Sequence, residues 1–143
     1  MSVKLRITNL KAFNKKLNKK LQDNKVQTLV TRATLMVEKT AKESIMKGGT
    51  GRLYKKYKPK RDHRASAAGQ PPANDENFLN QNITMNVKKI TDGSVIGQII
   101  SAADYSAHLE FGTTKMEARP FMQPALEKNR RKMHAMFKKG VLK

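Results

Sequence analysis

YSAHLEFGTTKMEARPFMQPAL, residues 105–126, carries the change of pattern that decides the fold. Tyr105 to Phe111 are spaced for a short helix, and Gly112 stops it. A polar turn follows. Arg119 and Pro120 then open a second, longer helix, because proline is well placed in a first turn. Phe121, Ala125, Met133 and Phe137 recur on one side of that helix, and Met122 and Leu126 widen the apolar stripe. Basic residues dominate from Lys128 onward, where they complement the carboxyl end of a helix and stay wet.

Outward from this block, the preceding residues read as a hairpin. Ile83, Met85, Val87 and Ile90 make an imperfect strand, and Asp92-Gly93 is a strong turn signal. On the returning strand Val95, Gly97, Ile99 and Ser101 share one face, while Ile96 and Ile100 share the other. A strand apolar on both faces belongs at the centre of a sheet or at an interface. Just before it, Asn77 to Gln81 predict a short helical turn anchored by Phe78 and Leu79.

The amino-terminal third is simpler. Val3, Leu5 and Ile7 alternate with polar residues as a short strand does. Leu10, Phe13, Leu17 and Leu21 then recur at helical spacing, with Asn9 as a cap. The pattern falters at Gln22 to Lys25, where Asn24 with Gln27 reads as a second cap. Leu29, Val30, Ala33, Val37, Ala41 and Ile45 continue the stripe until Gly48 and Gly49 end it. The stripe is compatible with one bent helix or with two.

Between these parts lies an unusual stretch, about 48–75. It holds a basic run with two tyrosines, YKKYKPKRDHR, followed by ASAAGQPPAND. Pro59, Pro71 and Pro72 exclude helix around them. The reading is a mobile arm or loop that a neighbour orders in an assembly. Tyr54, Lys55, Lys56, Tyr57, Lys58, Lys60, Arg61 and Arg64 form its candidate polyanion patch, since cations meet phosphates and tyrosines stack. Docking on an acidic protein surface and plain solvation are the competing readings.

Composition sets the frame. The 143 residues fit one α+β domain: a small antiparallel sheet against a long amino-terminal helix and a carboxyl-terminal helix, with an extended basic loop. Thirty Lys and Arg face eleven acids, a net charge of +19 that attracts polyanions and repels copies of itself. The chain has no cysteine, which excludes disulfides and thiolate metal sites. No signal peptide or membrane span is expected. Some of the eight methionines are expected to fill gaps between helix and sheet.

Motifs for catalysis are weak. Gly48, Gly49 and Gly51 lack the Lys-Ser/Thr ending of a phosphate loop. His63, His108 and His134 are far apart and have no compact set of acids for zinc. Glu38, Glu43, Glu110 and Glu117 read as salt-bridging or surface carboxylates. No enzyme, cofactor or metal is expected.

Three blocks in order resemble the HK97 gp10-like family of tailed-phage head–tail joining and tail-completion proteins. They are VKLRITNLKAFNKKL, then HRASAAGQPPANDENFLNQNI, then the opening block, which is the most specific. Tyr105, Leu109, Glu110, Phe111 and Gly112 match the family's aromatic–acid–Phe–Gly element. Arg119, Pro120 and Phe121 match the start of its last helix. The resemblance implies that Phe111 anchors the core and that Arg119 pairs with Glu110 across the loop. One departure is Asn74-Asp75-Glu76, where relatives often carry Asp-Thr-Gly.

The implied role is a structural one. Subunits join in a ring, expected to be a hexamer in the virion neck or tail, after assembly in the host bacterial cytoplasm, with a monomer in isolation as the alternative state. The ring meets a head connector or stopper on one side and the tail tube or tail terminator on the other, and DNA passing through it is contacted without sequence reading. The alternative is a small basic nucleic-acid-binding protein.

Overall fold

The computed structural model describes residues 2–5, 23–57, 60–90 and 94–142. The expected helix around Leu10 to Leu21, the Asp92-Gly93 turn, Pro59 and Lys58 of the basic patch lie outside these residues. The elements run β1 (Ser2–Leu5), α1 (Asp23–Met46), β2 (Leu53–Tyr57), β3 (Lys60–Arg64), α2 (Phe78–Gln81), β4 (Ile83–Lys89), β5 (Val95–Ser101), α3 (Ser106–Phe111) and α4 (Met122–Leu142). The α+β architecture is the expected one. A small antiparallel sheet packs against a long helix from the amino-terminal half, and a long carboxyl-terminal helix packs on that helix.

The main sheet has the order β1-β5-β4, all antiparallel. The strand that is apolar on both faces is thus the central one. Val95, Gly97, Ile99 and Ser101 are buried on the side that meets α1, and Ile96, Gln98 and Ile100 are half-buried on the other. Gly97 explains how closely the helix sits. A Cβ there would stand 2.0 Å from the Thr34 hydroxyl oxygen. That hydroxyl donates to the Val30 carbonyl at 2.8 Å, so it is already satisfied within its own helix.

The stripe Leu29, Val30, Ala33, Val37, Ala41 and Ile45 is buried along the whole of α1. The helix is already formed at Asp23, so Asn24 lies inside its first turn rather than before it. Gly48 follows the far end with φ +80°, a left-handed exit that glycine takes without steric cost. Ile45, Leu79, Ile83, Ile99, Ala103, Phe121, Met122, Ala125 and Met133 close the core with it. Met122 and Met133 are the gap-filling methionines. Where α4 crosses α1, the buried Asn129 amide donates to the Thr40 hydroxyl and the Ala125 carbonyl, both at 2.8 Å. A polar group buried between helices is tolerated because it is paired.

The stretch 48–75 differs from a simple loop. β2 and β3 pair as an antiparallel two-stranded ribbon, with Tyr54 opposite His63 and Lys56 opposite Arg61. The pairing continues beyond the strands through Ala65 N–H to Arg52 O and Gly51 N–H to Ala65 O. Gln70 secures the return. Its side-chain oxygen accepts from the Thr50 hydroxyl at 2.9 Å and from Ala67 N–H at 3.2 Å. α2 is held by one side chain, not two: Leu79 is buried, while Phe78 is half exposed with its ring centroid 6.2 Å from that of Tyr105.

Candidate functional site

The residues that the resemblance singles out meet at the joint between α3 and α4. An α-helix begins with four backbone N–H groups that have no partner in the helix. At the start of α4 these belong to residues 121–124. Glu110 takes three of them. Its carboxylate accepts from Phe121 at 2.9 Å, Met122 at 3.1 Å and Gln123 at 2.8 Å. The fourth position is Pro124, which has no N–H to satisfy. One side chain and one proline therefore complete the helix start, and the negative charge sits where the helix dipole favours it.

Glu110 is 6% exposed, and the hydrogen bonds are what make that burial tolerable. The chain between the two helices turns tightly to bring it there. Gly112 has φ 76° and ψ −179°, a region open essentially to glycine alone. Thr113 and Met116 then bridge through backbone hydrogen bonds, and Arg119 N–H donates to Leu109 O at 2.6 Å.

Two expectations are corrected here. Arg119 does not pair with Glu110, whose carboxylate accepts instead from the backbone N–H groups of 121–123. The Arg119 Nε is itself buried without a hydrogen-bond partner among the described residues. Phe111 does not anchor the core. It is 74% exposed, and Phe121, fully buried, does that work. The reversal follows from the helix period: Glu110 must face α4 to cap it, which turns its neighbour outward.

The basic ribbon divides into two faces. Paired residues in a ribbon lie on the same side. Lys56, Arg61 and His63 turn towards Asp75 and Glu76, which belong to the segment leading into α2. Lys56 and Arg61 both form ion pairs with Asp75, and His63 Nδ1 lies 3.6 Å from it. Glu76 is 3.5 Å from Lys56. The Lys56 ammonium that donates to it, with the charges of His63 and Arg61, holds the Asp75 carboxyl below its ordinary 3.8, against the effect of burial. Reciprocally, the hydrogen bond to Asp75 raises Lys56 above 10.5, outweighing its loss of hydration. Burial, with Glu76 and Asp75 nearby, pushes the Tyr105 hydroxyl above 10.0.

The opposite face of the ribbon carries Leu53, Lys55, Tyr57, Lys60, Asp62 and Arg64, all exposed. Tyr54, on the inner side, remains half exposed under the Arg52 guanidinium at 5.4 Å. A cleft of about 470 Å³ lies between the ribbon and the core; Lys56, His63, Asp75, Tyr105 and Arg119 reach it. Asp75 and Glu76 are paired there with Lys56, and Asp75 with His63, while Arg119 has no carboxylate partner among the described residues. Among the described residues no three His, Asp or Glu are placed to hold a metal ion, and no helix is long and apolar enough to cross a membrane.

Sequence reasoning missed the role of Asp75 and Glu76. The signal was present, as the only adjacent acids in a basic stretch, but nothing local says that the ribbon folds back on them. No protein-family model, curated protein or solved structure matches the chain.

Proposed function

We propose that the chain is a structural subunit of a tailed-phage or prophage head–tail junction, one that assembles into a ring and completes the tail end. The ordered resemblance of three sequence blocks supports this reading. The observation that carries it is the contrast between two adjacent residues of the most specific block. Glu110 is locked inside the joint, and the helix period then leaves the Phe111 ring, at the end of α3, out in solvent. An exposed aromatic on a rigid mount is a ready contact for a neighbouring subunit. Leu53 and Tyr57 on the outer side of the ribbon offer a second contact of the same kind. In this role the subunit makes and breaks no covalent bond. It binds its own copies, a connector or stopper, and the tail tube or terminator.

The test is genetic and visual. Deleting the gene from the virus that encodes it is expected to leave filled heads and tails that do not join, with the defect restored by the intact gene. Normally joined particles whose collar lacks this polypeptide would end the proposal.

A further inference from the structure

The cations of this protein are not equally available. Those on the inner side of the ribbon are paired with Asp75 and Glu76; on its outer side Lys55 lies opposite Asp62 in the register, Arg64 donates to the Gly51 carbonyl, and Lys60 is exposed opposite Tyr57. α1 mixes its charges, with Lys42 2.7 Å from Glu38 and Lys39 3.8 Å from Glu43. α4 has no such balance. Beyond Glu127 it contains no acid at all. Glu127 lies 3.4 Å from Arg130. Lys128, Arg131, Lys132, Lys138 and Lys139 are exposed, and none is paired with a carboxylate among the described residues.

These five residues share one face. Successive residues turn by 100° in an α-helix, so 128, 131, 132, 138 and 139 fall on a single side around Ala135, along roughly 16 Å of axis. The opposite side, with Met122, Ala125, Asn129 and Met133, is buried against α1 and the core. Like charges at i and i+4, such as Lys128 and Lys132, oppose helix formation. The helix keeps them because its buried side holds it in place.

We infer that this solvent face of α4 binds the phosphodiester backbone of nucleic acid without reading sequence, and that it, rather than the ribbon, is the main polyanion surface. A basic amphipathic helix often lies in a membrane or in a partner's groove, but both uses need its apolar side free. Here that side is occupied by the core. A protein partner would need an apolar or aromatic anchor at the centre of the contact. Between Lys128 and Lys139 this face offers only Ala135 among the described residues. A second copy would bring like charge against like charge. A row of phosphates needs nothing but cations at a regular spacing on a rigid support.

The inference stands independently of the assembly reading, since DNA binding without rings would remove that reading and keep this one. The test uses the full chain, a DNA duplex of mixed sequence, and fluorescence anisotropy across salt. Two triple variants remove equal charge: Lys128→Gln with Lys132→Gln and Lys139→Gln on the helix, and Lys55→Gln with Lys60→Gln and Arg64→Gln on the ribbon. The helix variant is expected to bind about tenfold or more weakly and to lower the log–log salt slope by roughly 2.7, as the loss of three phosphate contacts requires. The ribbon variant is expected to lose less than about threefold, with a slope nearly unchanged. Far-ultraviolet circular dichroism checks that both remain folded. In the unaltered protein, bound DNA is expected to shield Lys128, Lys132 and Lys139 from an amine-modifying reagent more than Lys55 and Lys60. Equal losses from the two variants, or no duplex binding by the folded protein at low salt, overturn the inference. So does binding of polyglutamate or anionic vesicles in place of DNA.

Discussion

Two carboxylates fasten this molecule, and they do it by different physics. Glu110 is buried and spends both oxygens on backbone N–H groups of α4. Asp75 stays partly in solvent and gathers Lys56, Arg61 and His63 from the ribbon. The first contact is short in sequence, shielded from water and tied to the core through Phe121. The second spans the cleft, is screened by salt, and holds side chains that also have water as an alternative. The carboxyl-terminal joint is therefore expected to unfold only with the whole domain, while the ribbon is expected to detach by itself.

Removing Glu110 breaks this contrast most severely. Glu110→Ala leaves three N–H groups in or near the core without an acceptor, and a loss of about 3 kcal/mol is expected in urea unfolding. Glu110→Gln keeps one carbonyl oxygen and is expected to lose about half as much. A change of less than about 0.5 kcal/mol in Glu110→Ala would mean that the cap does not hold the joint.

Asp75→Asn acts on the other fastening. The urea midpoint is expected to move little, because the core of α1, β5 and α4 is untouched. Trypsin cleavage between Lys55 and Arg64 is expected to accelerate severalfold, an effect high salt should imitate in the unaltered protein. If global unfolding and ribbon cleavage shift together, the ribbon is part of the cooperative core and the distinction fails.

Acidity sharpens the same point. The Asp75 carboxyl lies below 3.8 when folded, so its contribution is complete above that ordinary value and disappears as pH falls through the folded one. Lys56 lies above 10.5 when folded, so its contribution holds below that and disappears as pH rises through the folded value. Amide resonances of residues 53–57 and 60–64 are expected to move at both extremes before those of β4 and β5. Simultaneous movement of ribbon and sheet would contradict local detachment.

The smallest expected effect on stability comes from the residue beside Glu110. Phe111→Ser should change unfolding by less than about 0.5 kcal/mol, since the ring is mostly in water. Under the assembly reading it should nevertheless weaken self-association, measured by sedimentation at concentrations where the unaltered chain forms rings. Unchanged rings would remove Phe111 from the contact surface.

Much of the fold was legible because periodicity reports burial. The stripe from Leu29 to Ile45 predicted the buried side of α1, and the two apolar faces of Val95 to Ser101 predicted the central strand. Gly112 and Pro120 marked the turn and the start of α4, although the helix itself begins at Met122. The candidate site was less legible. The adjacent residues Glu110 and Phe111 invited the ordinary rule of apolar inside and charged outside. That rule fails when a buried helix end needs an acceptor more than the core needs another ring.

Composition and pattern determined on their own that the chain is strongly basic, that it is α+β, and which sides of its long elements are apolar. These are local properties, fixed by residue type and the period of helix or strand. Only the tertiary structure decided which charges remain available. Asp75 cancels cations that lie 14 and 19 residues away in sequence, while Lys128, Arg131, Lys132, Lys138 and Lys139 of α4 have no carboxylate partner among the described residues, on a helix whose other side is buried. Coulomb energy depends on distance in space and on access to water, and neither can be read from the order of residues alone.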